Sequence, residues 1–143
     1  MIVLDANILL YAYDETADLW PKARDWVAAA FSADALVGLP WQTVGAFLRI
    51  ATNPSLRGAR LAMREASEIV DSWLELPNVQ LLAPGSRHWL LLRELLLTGQ
   101  VRGPRVTDAQ LAAITIEHGG VLHTTDRDFA QFPGLRWINP LNP

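Results

Sequence analysis

Met1-Ile2-Val3-Leu4-Asp5-Ala6-Asn7 opens the chain with four apolar residues that run directly into a carboxylate. So short an apolar run reads as a strand buried on both faces, as in parallel sheets, with Asp5 at its exit. Val121-Leu122-His123-Thr124, after the Gly119-Gly120 turn, reads as a later strand with Asp126 just past its end. In an open parallel sheet every strand delivers its following residue to the same edge, so carboxylates far apart in the chain meet in one crevice. Clustered carboxylates repel one another, and a buried anion is costly unless paired. A hard divalent cation such as Mg2+ or Mn2+ resolves both problems, because it prefers oxygen ligands and keeps waters for chemistry.

Helical patterns fill the space between these two strands. Asp5 is placed to cap a helix over 6–13, and a second helix is expected over about 17–32 with Trp20 and Trp26 turned inward. Residues 35–39 read as a short buried strand, 41–52 as a helix ended by Asn53-Pro54, and about 59–74 as another helix. Pro77-Asn78 breaks that helix before a strand over 79–82. Ser86 caps the next helix, which runs to Thr98 and is closed by Gly99. Its Leu90, Leu91, Leu92, Leu95, Leu96 and Leu97 occupy more than one face, so it is either buried on several sides or covered by a partner subunit.

Thr107 and Gln110 have capping-box spacing, which places Asp108 in the first turn of a helix ending near Glu117. The helix dipole favours a carboxylate there by about 0.3–1 kcal/mol, keeping it ionised for a cation, although such a position is also ordinary stabilising composition. Residues 135–138 supply a last strand. This alternation predicts one domain over 1–143, a three-layer α/β/α sandwich with a mainly parallel sheet about five strands wide.

With 143 residues, half of them hydrophobic, the chain can bury a real core without staples. It shows no membrane-length apolar run and no signal-peptide pattern at its start, so a cytoplasmic protein is expected. The absence of cysteine excludes disulfides and thiolate zinc sites and narrows any metal to oxygen or imidazole ligands. The formal charge of -3 is unevenly spread: residues 49–105 carry eight Arg against five acids, and the remainder four basic against ten acidic groups. Eleven of the twelve basic residues are Arg, which favours forked phosphate contacts, though solvated helix faces account for many arginines.

Taken in order, these words resemble the PIN-domain ribonucleases, most closely the VapC-type toxins of bacterial toxin-antitoxin pairs. The stretches that carry the resemblance are Leu4-Asp5-Ala6-Asn7, Phe47-Leu48-Arg49-Ile50-Ala51-Thr52-Asn53-Pro54, and Thr107 through Pro140, with Ile116-Glu117-His118-Gly119-Gly120, Thr125-Asp126-Arg127-Asp128-Phe129 and Leu135-Arg136-Trp137 at family-like intervals. The resemblance implies strand order 3-2-1-4-5. It also implies catalytic and metal-binding roles for Asp5, Asp108 and Asp126. Asp128 is a further candidate ligand, or else a solvent-facing carboxylate at a helix start. Asn7 and Thr125 are placed either to orient ligands and waters or to serve as caps and turn formers. Many PIN domains carry a glutamate where Ala46 stands here, and its absence favours a single metal.

Gln42 has two readings, contact with a metal-bound water or an outward-facing helix position. Arg49 bridges to a site carboxylate, binds phosphate or forms a structural ion pair. Arg102 and Arg105, in the loop before Asp108, are placed to meet an RNA backbone. His88, His118 and His123 lack metal-ligand spacing, and an exposed Trp41 would stack on an unpaired base.

The resemblance therefore implies a Mg2+-dependent endoribonuclease toxin, with Mn2+ as the alternative ion. Such a toxin cleaves structured RNA such as tRNA or rRNA, is inhibited by a VapB-type antitoxin and forms a homodimer. Two other readings stand beside it. One is a catalytically silent PIN-like binding domain. The other is an aspartate-nucleophile phosphohydrolase, which Asn7 and the remote Lys22 disfavour.

Overall fold

The computed structural model describes residues 1–56 and 60–142. Five strands, β1 (Ile2–Leu4), β2 (Val37–Pro40), β3 (Val79–Leu82), β4 (Val121–His123) and β5 (Trp137–Ile138), form one sheet in the order β3-β2-β1-β4-β5. Every pairing is parallel. The order and the α/β/α layering match the sequence expectation.

Among the described residues six α-helices cover the sheet: α1 (Ala6–Ala12), α2 (Trp20–Ser32), α3 (Trp41–Ala51), α4 (Met63–Leu74), α5 (His88–Thr98) and α6 (Arg105–Glu117). Alternation along β1 divides the core between the two faces. Leu4 packs with α1 to α4 around the T-shaped pair Phe47 and Trp73, whose ring centroids are 4.7 Å apart. Val3 packs with α5, α6, Phe129 and Phe132. At the Gly-Gly turn before β4, Gly119 adopts a left-handed φ of +66°, and a Cβ on Gly120 would lie 2.5 Å from Val3 Cγ2. A side chain on Gly120 would push β4 away from the central strand.

Several local expectations are corrected. The helix expected from 17 begins at Trp20, and the one expected from 59 begins at Met63, with residue 59 itself outside the described residues. Trp20 is half-buried beneath the Arg24 guanidinium rather than in the core, while Trp26 stacks on His123. Ser86 does not cap α5. The preceding residue is Arg87, and the loop's Gly85 and Arg87 N–H groups donate to the Glu117 carboxylate, each at 3.0 Å. Gly99 stays right-handed and Gln100 takes the left-handed conformation, φ +50°, with Val101 N–H closing onto Leu96 C=O. Helix α6 starts at Arg105, two residues before the expected cap, so Thr107 and Gln110 form no capping box, although Asp108 remains in the first turn. On α5 only Leu92 and Leu95 are buried, and Leu90 and Leu97 are 67% and 62% exposed.

Candidate metal centre

Parallel pairing sets the site. The register Leu4↔His123 places Asp5 beside Thr124 at the carboxyl-terminal edge of adjacent strands. Thr124 is fully buried, and its hydroxyl donates to Asp5 Oδ2 at 2.7 Å. The Thr124 hydroxyl oxygen in turn accepts the Asp126 N–H at 3.0 Å and the Asn7 amide at 3.0 Å. Asn7 Nδ2 also donates to Asp5 Oδ2 at 3.1 Å, and its Oδ1 accepts the Thr125 N–H at 3.4 Å. Asp5 precedes α1 yet makes no side-chain cap bond to it. Its Oδ2 is held by these two donors, and Oδ1 has no side-chain hydrogen bond among the described residues.

Asp5 and Asp108 line one recess of about 60 Å³, together with Gln42, Thr43, Ala46 and Thr107. The Thr43 hydroxyl donates to the Leu4 carbonyl at 2.7 Å, and Gln42 Nε2 donates to the Thr107 carbonyl at 3.1 Å, fixing α3 against β1 and α6. Ala46 puts only a methyl group where the family resemblance placed a glutamate. Burial pushes the Asp5 carboxyl up from its ordinary value. The Thr124 hydroxyl and Ala6 N–H oppose that rise, and the charges of Asp108 and Asp126 add to it. Asp108 is raised by burial, then by Asp126 and Asp128, against the opposing pull of Arg105.

The expected cluster of acids thus resolves into a pair in one recess, Asp126 within electrostatic reach and Asp128 at the surface. Among the described residues, no three His, Asp or Glu side chains converge closely enough to hold one ion between them. Two carboxylates in one recess nevertheless fit Mg2+, which is commonly bound through one or two carboxylates and keeps several waters. Their mutual repulsion is what a cation would reverse. Asp128 is exposed and lies 3.8 Å from Arg105, itself 45% exposed at the side chain. Arg49 and Arg102 are exposed, and neither forms a salt bridge with a described acid.

The sequence left Thr125 between orienting ligands and forming a turn; in the structure its N–H donates to Asn7 Oδ1, and the hydroxyl that holds Asp5 belongs to Thr124. The signal that identifies it is the β1–β4 register, which a single sequence does not display. Gln42 faces the recess rather than solvent alone. Asn7, tied by its amide to Asp5, offers no second acid to an aspartate nucleophile, and Lys22 is exposed on α2.

The PIN domain family model matches residues 2–135. The chain is similar to Ribonuclease VapC33 of Mycobacterium tuberculosis, 37% identical over 141 residues and covering 99% of each chain. Among solved structures it is similar in fold to VapBC2 from Rickettsia felis, bound to a DNA fragment from their promoter (TM-score 0.68, 16% identity, 97% of this chain and 98% of that one). It is likewise similar to Mycobacterium tuberculosis VapC20, described as a Sarcin-Ricin loop cleaving toxin (TM-score 0.68, 17% identity, 95% and 99%).

Proposed function

The chain belongs to the PIN-domain family, and on that premise we propose that it is a divalent-metal-dependent endoribonuclease toxin, hydrolysing RNA phosphodiester bonds and restrained by a VapB-type antitoxin. The observation that carries this reading is the meeting of Asp5 and Asp108 in one recess at the carboxyl-terminal edge of the sheet. The full-length kinship with a named VapC ribonuclease supports the reaction class, and the fold shared with a VapBC assembly supports the partner.

Asp5 and Asp108 would hold Mg2+ or Mn2+, with Asp126 reaching it directly or through water. When bound, the ion supplies a water of lowered pKa and neutralises charge on the phosphate. Thr124 and Asn7 fix one oxygen of Asp5, so the carboxylate meets its ligand without reorganising. Asp128 lies beside Arg105, and Arg49, Arg102 and Arg105 would meet the phosphates that flank the scissile bond. Water adds across the P–O bond, leaving a phosphate terminus and a hydroxyl terminus. With Ala46 in the recess, a single ion is the reading the residues support.

Mapping RNA ends after brief expression in cells tests this reading and identifies the substrate. New ends at discrete tRNA or rRNA positions are expected, absent from cells that also make the antitoxin. Cleavage by the purified chain should stop with EDTA and return with Mg2+ or Mn2+. Intact RNA under every condition would defeat the reading.

A further inference from the structure

A second recess of about 250 Å³ adjoins the acidic one, and Gln42 lines both. Its apolar floor is Leu82 and Ile114, and Trp41, His88 and Gln110 stand around it. Trp41 begins α3, the residue after β2, so the recess opens at the same sheet edge as Asp5. That indole is 56% exposed, an unusual position for so large an apolar side chain without a partner. Gln110 is half-buried and its carboxamide makes no hydrogen bond among the described residues. Gln42 uses Nε2 on the Thr107 carbonyl and has its amide oxygen to spare. His88 Nδ1 is buried without a hydrogen-bond partner among the described residues, 3.6 Å from Glu117 Oε2.

This lining carries no carboxylate, lysine or arginine and sets two carboxamides beside an aromatic ring. Its volume lies below the ~300–1,000 Å³ of pockets for drug-sized ligands, which suits one ring system and not a whole cofactor. We propose that this recess binds one unpaired nucleobase of the RNA next to the scissile phosphate, Trp41 stacking on its face while Gln110 and Gln42 meet its edge. An aromatic platform beside amide groups is how single-stranded bases are held and told apart. The inference rests on the ribonuclease reading and adds to it a determinant of cleavage sequence.

The test uses the purified full chain and single-stranded RNA oligonucleotides spanning a mapped cleavage site. Trp41→Ala should lower kcat/KM by about tenfold to a hundredfold, as expected for losing one stacked base. Trp41→Phe should recover most of it, and Gln110→Ala should change which base is preferred. An abasic nucleotide at the contacted position should slow the wild type and slow Trp41→Ala no further. Melting curves establish that each variant is folded. Equal kcat/KM and unchanged base preference in folded Trp41→Ala would overturn the base recess and leave the ribonuclease reading standing. So would a Trp41→Ala enzyme that cleaves normally but escapes the antitoxin, which would make this a protein contact. No cleavage by the wild type with either metal would bring down both readings.

Discussion

At Thr124 one hydroxyl donates a hydrogen bond to Asp5 Oδ2 and accepts from both the Asp126 N–H and the Asn7 amide, using its donor and both lone pairs. Thr124→Val keeps the shape and leaves two donors without an acceptor. It should cost roughly 1–3 kcal/mol of stability and most of the cleavage rate, with Thr124→Ser retaining both, as urea unfolding and RNA cleavage would show. Asp5→Asn and Asp108→Asn should each abolish cleavage with circular dichroism unchanged, since each removes one charge at nearly constant shape. The pH dependence follows in sign. Both acids are raised above 3.8 in the folded protein, so stability in EDTA should fall as pH rises through their folded values, and each Asn variant should lose part of that decline. Urea unfolding from pH 3 to 7 checks this, and identical profiles would remove both acids from the electrostatic cluster. Asp5 and Asp126 were legible as following strands because Met1-Ile2-Val3-Leu4, and Val121-Leu122 after a Gly-Gly turn, announce buried strands. Thr124 was not, because its role depends on which strand lies alongside.

Helix α5 begins without a cap of its own, and the last residue of α6 supplies one. Burial raises Glu117, but the N–H groups of Gly85 and Arg87, with His88 and His118, more than offset it and hold the carboxyl below its ordinary value. Its contribution is therefore present above pH 4.5 and lost as pH falls through the lower folded value. Glu117→Ala should destabilise by about 0.5–2 kcal/mol, the range for a lost cap, at neutral pH, and by less in acid. Equal melting temperatures for variant and wild type at pH 7 would refute the cap. Helix positions and periods were readable from apolar spacing, but of three expected polar caps Asp5 stands at the cap position without a side-chain bond to α1, and Ser86 and Thr107 were misplaced. Local sequence rules assume a helix end is satisfied by its own neighbours, whereas here a carboxylate 30 residues away from Arg87 closes the turn.

For the molecule as a whole, Mg2+ or Mn2+ should raise the melting temperature, and Asp5→Asn should abolish the rise. A hundredfold excess over Kd makes about 2.7 kcal/mol available, several degrees for a chain of this size. No shift at tens of millimolar in a protein that still cleaves RNA would contradict metal binding at this recess. The apolar residues Trp89, Leu90 and Leu97 left exposed on α5 should cover one another in a homodimer that survives high salt, whereas RNA binding by Asp5→Asn should weaken steeply with salt. Light scattering that shows a monomer at micromolar concentration would refute the dimer. The sheet order was legible because the run of strands and helices resembles one known topology. The division of α5 into buried and exposed leucines was not, because a leucine-rich helix carries no mark of which face meets the sheet.

The tie between Asp5 and Thr124 also fixes when the site comes into being. The ribosome makes the central strand first, but the hydroxyl that locks its acid is encoded 119 residues later. At roughly 5–20 residues per second, the growing chain carries Asp5 unlocked for something like 6–24 seconds. A chain cut or stalled ahead of Thr124 carries Asp5 and Asp108 but neither the hydroxyl that fixes Asp5 nor the Asp126 that follows it, so the two acids exist before the bonds that orient them.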